Sequence, residues 1–241
     1  DSVKEAQRHW IGRSEGAAVR FAVANDAGQP DPAGTEVEVF TTRPDTLHGV
    51  SFMVLAPEHE LVAGLTSDAQ RSEVEAYVEA AGMKSERDRQ GDKSISGVFT
   101  GGHVVHPITG ALVPVWIADY VLAGYGTGAI MAVPAGDERD WRFANHFDLP
   151  IPPIFKDVDT QEAVCTDKGA ILCNSGEWDG MRASDAIPLA LDWVEAQGCG
   201  TRKVNYRIRN AVFSRQRYWG EPFPIAYENG IATRITDATV T

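Results

Sequence analysis

The sequence has few cysteines and no long apolar run. Its three cysteines (Cys165, Cys173 and Cys199) are odd in number and form no CxxC pair, so we expect neither a disulfide framework nor a zinc site. A reducing cytosol fits this cysteine usage best. No apolar stretch approaches the roughly 18 residues that a membrane helix needs, and the first residues do not resemble a signal peptide. The sequence therefore predicts a cytoplasmic protein with no membrane partner.

Positive charge is also scarce, with 22 basic residues against 34 acidic ones and a net charge of −12. This balance argues against general nucleic-acid affinity, because phosphate binding needs clustered lysine and arginine. Residues 201–220 are the exception, since they carry six basic residues and no acid. The rest of the chain therefore has a net charge of −18. A basic run is usually a solvated face. Here, however, aromatic residues are interleaved with it, which favours contact with RNA or another domain.

Familiar catalytic signatures are absent from the sequence. The GYGTG stretch at residues 124–128 resembles a phosphate loop superficially, but a buried strand pattern follows it where a helix is needed. There is no HExxH metal motif, no GxSxG nucleophile elbow, and the pair His103 and His106 is weak as a ligand set. We therefore expect neither a metal site nor an activated nucleophile.

The order of the sequence patterns predicts an α+β fold. Residues 36–40 alternate strictly, which places Val37 and Val39 on one face of a strand. Strands are predicted near residues 17–24, 36–40, 51–56, 98–105, 112–118, 129–133, 151–155 and 170–173. Helices are predicted at residues 1–9, 57–65, 67–81 with Ser67 as N-cap, 137–147 with Trp141, Ala144 and Phe147 facing the core, and 184–197. Because there is no regular βαβ alternation, we expect a mixed, β-barrel-like sheet with peripheral helices.

Two polar clusters stand out against this apolar scaffold. The first is TTRPDT at residues 41–46, called here the threonine segment, which gathers three hydroxyls, a cation and a carboxylate after a strand. The second is the stretch 126–140, in which a buried strand leads to Asp137 and Asp140, three positions apart. Together the two clusters predict a small polar pocket.

Each cluster also has a purely structural interpretation. Threonine is common in strands, and Asp137 and Asp140 have the spacing of a helix N-cap and a third-position acid. Capping is the favoured interpretation for Asp137. For Asp140, capping and a second interpretation are equally favoured. In the second, the carboxylate binds an ammonium group in a dry pocket. The threonine hydroxyls suit a substrate ester, a ribose hydroxyl or a water, since they both donate and accept.

Four motifs, taken in order, resemble a known family: WIGRSEG at residues 10–16, the threonine segment, the stretch 125–140, and SRQRYWGEP at residues 214–222. They resemble leucyl-tRNA synthetase of the bacterial type, within its inserted editing domain (connective polypeptide 1). The isoleucyl and valyl enzymes share that class I editing fold but normally differ at the position of Asp45. The resemblance implies a connecting segment at 1–16, an editing domain at 17–200, and a return segment at 201–241 towards a missing catalytic core.

The resemblance implies post-transfer editing, which is hydrolysis of the ester that joins a wrong amino acid such as norvaline to the 3′ end of tRNA-Leu. The HIGH and KMSKS signatures of the adenylate site are missing, so we expect an excised piece of the synthetase that does not aminoacylate tRNA. Editing is expected to need no cofactor, since only the missing catalytic domain would use ATP. The implied partners are tRNA-Leu and the rest of the synthetase chain, with a monomer expected.

Carried over by position, Asp140 would hold the α-amino group of the misattached amino acid. Thr41 and Thr42 would contact the substrate's backbone or the terminal adenosine and complete the catalytic set. Arg43 would help organise that end, and Thr46 would exclude leucine by size. The rest of the implied substrate-binding set is Asp45, Tyr125, Met131, Val133, Asp137 and Arg139. Since Asp140 would be occupied, we expect a water positioned by hydroxyls, including the ribose hydroxyl of the substrate.

Two other interpretations stay open. One is a non-catalytic tRNA-docking or structural insertion that keeps the fold but has lost hydrolysis. Gly136 supports it, because many members of the resembled family carry a histidine at this position. The other is a free-standing deacylase.

Overall fold

The computed structural model describes residues 2–85, 88–89, 94–124, 126–160, 162–206, 225–228 and 231–234, the last two ranges by their backbone alone. The chain forms two compact units, one of Arg13–Tyr206 and one of Asp1–Gly12 with Arg207–Thr241. In the smaller unit, α1 (Ser2–Ile11) is a helix, and β8 (Ile225–Glu228) pairs antiparallel with β9 (Ile231–Arg234). The predicted boundaries after residues 16 and 200 stay predictions.

The larger unit is built on a seven-stranded sheet. Its strands are β1 (Arg13–Val23), β2 (Glu36–Thr41), β3 (Phe52–Leu55), β4 (Val98–Val105), β5 (Leu112–Ile117), β6 (Ala129–Ala132) and β7 (Gly200–Tyr206). The order is β2-β1-β4-β5-β3-β6, with β7 also paired to β1. Only the β3–β5 pair is parallel among these described strands. The end strands β2 and β6 lie against one another, although their described residues form no ladder, so the open sheet is curled like a barrel.

Helices lie around this sheet. They are α2 (Val62–Leu65), α3 (Arg71–Gly82), α4 (Glu138–His146) and α5 (Ala183–Ala196), together with 3-10 helices at Pro44–Gly49 and Gly176–Trp178. The mixed strand directions and the peripheral helices confirm the predicted α+β, β-barrel-like class. The alternation of β2 is confirmed as well, since Val37 and Val39 are fully buried.

The helix predicted from Ser67 begins instead at Arg71, after Gln70 at the N-cap position. Ser67 is therefore not its cap, and its backbone amide donates to the Thr100 carbonyl of β4 at 2.9 Å. This tertiary hydrogen bond holds Ser67 against the sheet. A sequence preference for capping cannot anticipate such a contact.

The helix predicted to open at Pro57 is also wrong, since only Val62–Leu65 is helical. The His59 side chain accepts a hydrogen bond from the Leu61 amide through Nδ1 at 3.2 Å. A side chain that takes a nearby backbone donor competes with helix formation, so residues 57–61 form turns.

The strands predicted at residues 151–155 and 170–173 are reduced to isolated bridges, Phe155 with Leu172 and Ile171 with Arg182. Prolines occupy positions 150, 152 and 153. Because proline has no backbone N–H to donate, a regular ladder cannot extend through this stretch.

The core centres on β3, whose four residues are all fully buried. Phe52 stacks on Phe143 of α4 with ring centroids 5.2 Å apart, and this contact fixes the helix to the sheet. The sequence predicted Trp141, Ala144 and Phe147 for the core face of this helix. Ala144 is buried, the two aromatic residues are half-buried, and Phe143 takes the central place.

The close approach of β1 to β2 generates a prediction. A Cβ added at Gly16 would lie 2.0 Å from the Thr41 carbonyl oxygen, so Gly16→Ala must displace the strand end from which the threonine segment starts. We expect a loss of about 1–3 kcal/mol in the free energy of unfolding, measured by chemical denaturation.

Gly64→Ala is the matched control, because nothing lies within 4 Å of a Cβ added at Gly64 in α2. It should be neutral or stabilising by up to about 1 kcal/mol. Equal stabilities for the Gly16 and Gly64 variants would contradict the tight β1–β2 contact.

Candidate functional site

The threonine segment leaves β2 and turns into the 3-10 helix Pro44–Gly49. Thr41 Oγ1 accepts a hydrogen bond from the Arg43 amide at 3.0 Å, and Thr46 Oγ1 donates to the Arg43 carbonyl at 2.8 Å. Pro44 suits the first helical position, where its missing N–H costs nothing. Thr46 is buried, whereas Thr42 is exposed. Two of the three hydroxyls therefore fix the turn, and the third points outward.

Arg43 and Asp45 form a two-pronged ion pair within this turn. Arg43 donates from Nε to Asp45 Oδ1 at 2.9 Å and from Nη2 to Oδ2 at 2.8 Å. The Asp45 side chain is fully buried, and that of Arg43 is 19% exposed. Removing one partner of a buried pair leaves an uncompensated charge. Asp45 thus orients Arg43, and the substrate-binding roles assigned to both stay predictions.

His106 ties the 3-10 helix to the β4–β5 turn. Its Nε2 donates to the Leu47 carbonyl at 2.9 Å, and its Nδ1 accepts from the Ile108 and Thr109 amides at 3.1 and 3.3 Å. These contacts require a neutral ring, and burial lowers the pKa of His106 accordingly. From the sequence, this histidine is expected only as a weak metal ligand. In the structure its hydrogen bonds hold the 3-10 helix that contains the end of the threonine segment.

The start of α4 carries the second polar cluster. Asp137 Oδ1 accepts hydrogen bonds from the Arg139 and Asp140 amides at 2.8 and 3.2 Å, which confirms the predicted N-cap. Asp137 and Arg139 are both exposed. They therefore flank Asp140 on the solvent side of the helix start.

Asp140 itself turns into the protein and is only 6% exposed. Its Oδ2 accepts the Val133 amide at 2.9 Å. Burial, followed by repulsion from Asp137, raises the pKa of Asp140 to about 8, against the opposing effects of the Val133 amide and Arg139. The free carboxyl is therefore mostly protonated at neutral pH. A cation placed beside it would favour the ionised form.

The 3-10 helix that contains the end of the threonine segment finishes against the second cluster. A Cβ added at Gly49 would lie 3.0 Å from Val133 Cγ1, so the helix end touches the residue that follows β6. Met131 and Val133 are both buried, and Met131 faces Met53 in the β3–β6 ladder. Tyr125, the third residue expected to line the pocket, lies outside the described residues.

Gly136 has space around it. A Cβ added there would be 3.5 Å from Phe155 and 3.8 Å from Val133, which is ordinary van der Waals contact. The glycine is therefore not required by packing at this position.

Tyr120 is a neighbour of Asp140 that the sequence did not indicate. Its ring lies 6.0 Å from that of Phe143, and the Arg139 guanidinium is 5.7 Å from its centroid. Its hydroxyl is buried and has no hydrogen-bond partner. No pattern could single it out, because the contact joins the turn after β5 to a helix some twenty residues later.

The described part of the basic stretch is paired with acids. Arg202 bonds Asp192 and Glu195, and Lys203 bonds Glu38 at 3.0 Å. Such exposed pairs add little stability, but they reduce the charge offered to phosphates. The remaining basic residues of this stretch, Arg207, Arg209, Arg215 and Arg217, lie outside the described residues.

Within the parts of the chain that the structure describes, no three side chains among His, Cys, Asp and Glu are grouped to hold a metal ion. The three cysteines are free and half-buried. A search of the same parts finds no helix with the length and apolar character to cross a membrane.

The raised pKa of Asp140 generates a prediction for stability. As pH rises from about 4 to about 8, an unfolded aspartate loses its proton before the folded one, so the free energy of unfolding should fall over this window. Asp140→Asn keeps an oxygen for the Val133 amide and should remove this fall. The difference near pH 8 is on the order of 5 kcal/mol at most, measured by denaturant unfolding at several pH values.

Asp137→Asn serves as the control, since asparagine caps a helix as well as aspartate does. This variant should retain most of the pH-dependent fall. Parallel stability curves for the unmodified chain and Asp140→Asn would contradict a raised pKa at Asp140.

Comparison with known proteins identifies the family. A sequence model described as leucyl-tRNA synthetase, editing domain, matches residues 8–195. The leucine–tRNA ligase of Christiangramia forsetii is 53% identical over 239 residues, which cover 98% of this chain and 24% of that protein. That of Phocaeicola vulgatus is 52% identical over 241 residues, covering 96% and 25%.

A solved structure agrees with this result. The LeuRS of Agrobacterium radiobacter K84, in a ternary complex with tRNA and LeuAMS, superposes with a TM-score of 0.66 at 35% identity. The match covers 97% of this chain and 26% of that one, so the chain spans about a quarter of the length of these relatives. The resemblance in the four motifs is confirmed, and the chain belongs to the leucyl-tRNA synthetase editing-domain family.

Proposed function

We propose that this chain performs post-transfer editing as part of a leucyl-tRNA synthetase. In this proposal it hydrolyses the ester of mischarged tRNA-Leu, such as norvalyl-tRNA-Leu. The observation that carries the proposal is the buried Asp140 carboxyl group at the start of α4, in a chain of the editing-domain family. The partners are tRNA-Leu and the rest of the synthetase, in a cytoplasmic monomer. Editing uses no cofactor, and ATP serves only the aminoacylation site.

The α-amino group of the substrate binds Asp140. Burial disfavours the ionised carboxylate and raises its pKa to about 8, so the site is most stable when a positive group lies beside it. An aminoacyl ester brings an ammonium group, whereas the ribose of uncharged tRNA brings none. The opposite charge lowers the pKa of Asp140 again and makes binding selective for the charged 3′ end.

Thr46 excludes leucine. The hydrogen bond from its hydroxyl to the Arg43 carbonyl holds the side chain in one rotamer, so its methyl group is a rigid obstacle. An apolar pocket distinguishes substrates by one methyl group with only about 1–3 kcal/mol. Accurate charging therefore needs a second site, and a fixed wall that rejects the larger correct amino acid meets this need.

The hydrolytic step adds water to the ester carbonyl carbon and breaks its bond to the ribose oxygen. The leaving oxygen takes a proton, and the products are a free amino acid and tRNA. Thr41 accepts the Arg43 amide and keeps its own O–H to donate, and the exposed Thr42 hydroxyl can donate or accept. With the ribose hydroxyl of the substrate, these groups position the water and stabilise the developing oxyanion.

A docking module without hydrolysis is the alternative. It is favoured by the number of site residues that already have structural partners, including Asp45 and Asp140. Gly136 adds to this, because a side chain could be accommodated there but is missing.

Deacylation of norvalyl-tRNA-Leu and leucyl-tRNA-Leu tests the proposal. The chain at high concentration, and the full-length synthetase that contains it, should release norvaline and leave leucine attached. Asp140→Asn should lower the rate at least about a hundredfold, since it removes the charge for the ammonium while it keeps the Val133 bond. Intact norvalyl-tRNA-Leu with the full-length enzyme would instead support the docking module.

Substitutions at Thr46 separate its size from its hydroxyl. Thr46→Ala should let the enzyme hydrolyse leucyl-tRNA-Leu, with a gain of about tenfold or more. Thr46→Val keeps the volume without the hydroxyl, and should still spare leucine at some cost in stability. If Thr46→Ala spares leucyl-tRNA-Leu, or Thr46→Val hydrolyses it as fast as Thr46→Ala, the steric role is wrong.

A further inference from the structure

We propose that Tyr120 is a positioning residue for Asp140, its buried hydroxyl donating a hydrogen bond to the Asp140 carboxylate when that carboxylate is ionised. The link to editing rests on the function proposed above. The hydrogen bond itself is a property of the chain that can be measured without tRNA.

The geometry places Tyr120 beneath the first turn of α4. Its ring is held by Arg139, with the guanidinium 5.7 Å from the centroid, and by Phe143, whose ring is 6.0 Å away. Arg139 precedes Asp140, and Phe143 follows it by three positions, on the same face of the helix. The tyrosine therefore packs against the two residues that bracket the carboxylate.

The hydroxyl of Tyr120 is a buried donor without a partner. Such groups are rare in native proteins, and each calls for an explanation. Asp140 offers the complementary acceptor: its Oδ2 accepts the Val133 amide, and we assign the Tyr120 hydroxyl to Oδ1. A neutral carboxyl is a weak acceptor, whereas a carboxylate forms short and strong O–H···O bonds. The two groups are not hydrogen-bonded in the structure, so the bond forms when ionisation of Asp140 draws the hydroxyl and the carboxylate together by a shift of one of the two side chains.

Several other groups face this pair. They are Asp137 and Arg139 of α4, Tyr77 of α3, and Asp119 next to Tyr120 in the chain. The hydroxyl of Tyr77 is already engaged, with Ser96 at 2.8 Å and the Asp119 amide at 2.9 Å. Burial and the nearby carboxylates raise the pKa of Tyr120 well above its ordinary value, so Tyr120 stays a donor across the working pH range.

The consequence for editing concerns orientation and charge. A hydroxyl on Oδ1 would stabilise the ionised carboxylate and leave its other lone pairs for the substrate ammonium. Tyr120→Phe removes only that hydroxyl. It should make Asp140 harder to ionise, and therefore weaken binding of the aminoacyl end near neutral pH more than near pH 9.

The first measurement is the pKa of Asp140 in the free chain. It is obtained from an NMR titration that monitors the ¹³C chemical shift of the Asp140 carboxyl carbon, and the signal is assigned by its loss in Asp140→Asn. Tyr120→Phe should raise this pKa by about 1, which is about tenfold less ionised form at neutral pH. Thermal stability should not fall, because no bond of the neutral state is lost. An unchanged pKa of Asp140 would overturn the proposal.

Tyr77→Phe is the matched control, since it removes the same atom from a neighbouring tyrosine. It should lower the thermal stability, because the Asp119 amide and Ser96 lose a partner, and it should leave the pKa of Asp140 where it was. An equal rise in the pKa of Asp140 in both variants would show that the effect comes from general packing, and would overturn the specific role of Tyr120.

The second measurement is hydrolysis of norvalyl-tRNA-Leu by the full-length synthetase. Tyr120→Phe should raise KM about tenfold at pH 7 with little change in kcat, and the difference should shrink towards pH 9. An unaltered KM at both pH values would overturn the role in editing. If the unmodified enzyme does not hydrolyse the substrate, the proposed function fails, and the pKa measurement still decides the hydrogen bond.

Discussion

The hydrogen bond from the Val133 amide to the Asp140 carboxylate is the interaction on which the site depends. Val133 follows the last residue of β6, and its carbonyl accepts the Gly136 and Asp137 amides at 2.9 and 3.0 Å. One residue thereby ends the strand, closes the turn and starts α4. Asp140 satisfies the amide that the strand no longer pairs, and in doing so it brings a carboxylate into an apolar interior. Burial disfavours the ionised form of this carboxyl group, so under the proposed function the residue that completes the turn also becomes the group that responds to a cation.

The threonine segment is held as firmly from its own side. The His106 ring donates a hydrogen bond to the Leu47 carbonyl, and Arg43 donates to the Asp45 carboxylate. The Thr46 hydroxyl donates to the Arg43 carbonyl. Under the proposed function the site discriminates by size and needs this rigidity, because a wall that yields by a few tenths of an ångström no longer excludes one methyl group. Pre-organisation by buried hydrogen bonds provides such rigidity.

Local chemistry was readable from the sequence, and pairings between distant residues were not. The alternation of β2 and the cap at Asp137 depend on residues within one turn or one strand, and both were predicted. The contacts of Phe143 with Phe52 and of Tyr120 with α4 join elements far apart in the chain, so no periodicity contains them. The contact of the Ser67 amide with Thr100, on another element, could not be predicted for the same reason. The four motifs indicated the family because their order and residue types are specific even where their packing is unknown.

The acidity of the chain is consistent with this view of the site. A module with a net charge of −12, whose described cations at Arg202 and Lys203 are already paired, is poorly suited to hold a polyanion by its phosphates. An aminoacylated 3′ end, however, carries one cation at its tip. Under the proposed function, Asp140 recognises that cation, while the remaining three quarters of the synthetase supplies the grip on the tRNA body. The net negative charge repels charged and uncharged tRNA alike, so selectivity for the charged end comes from the ammonium that Asp140 binds and that uncharged tRNA lacks.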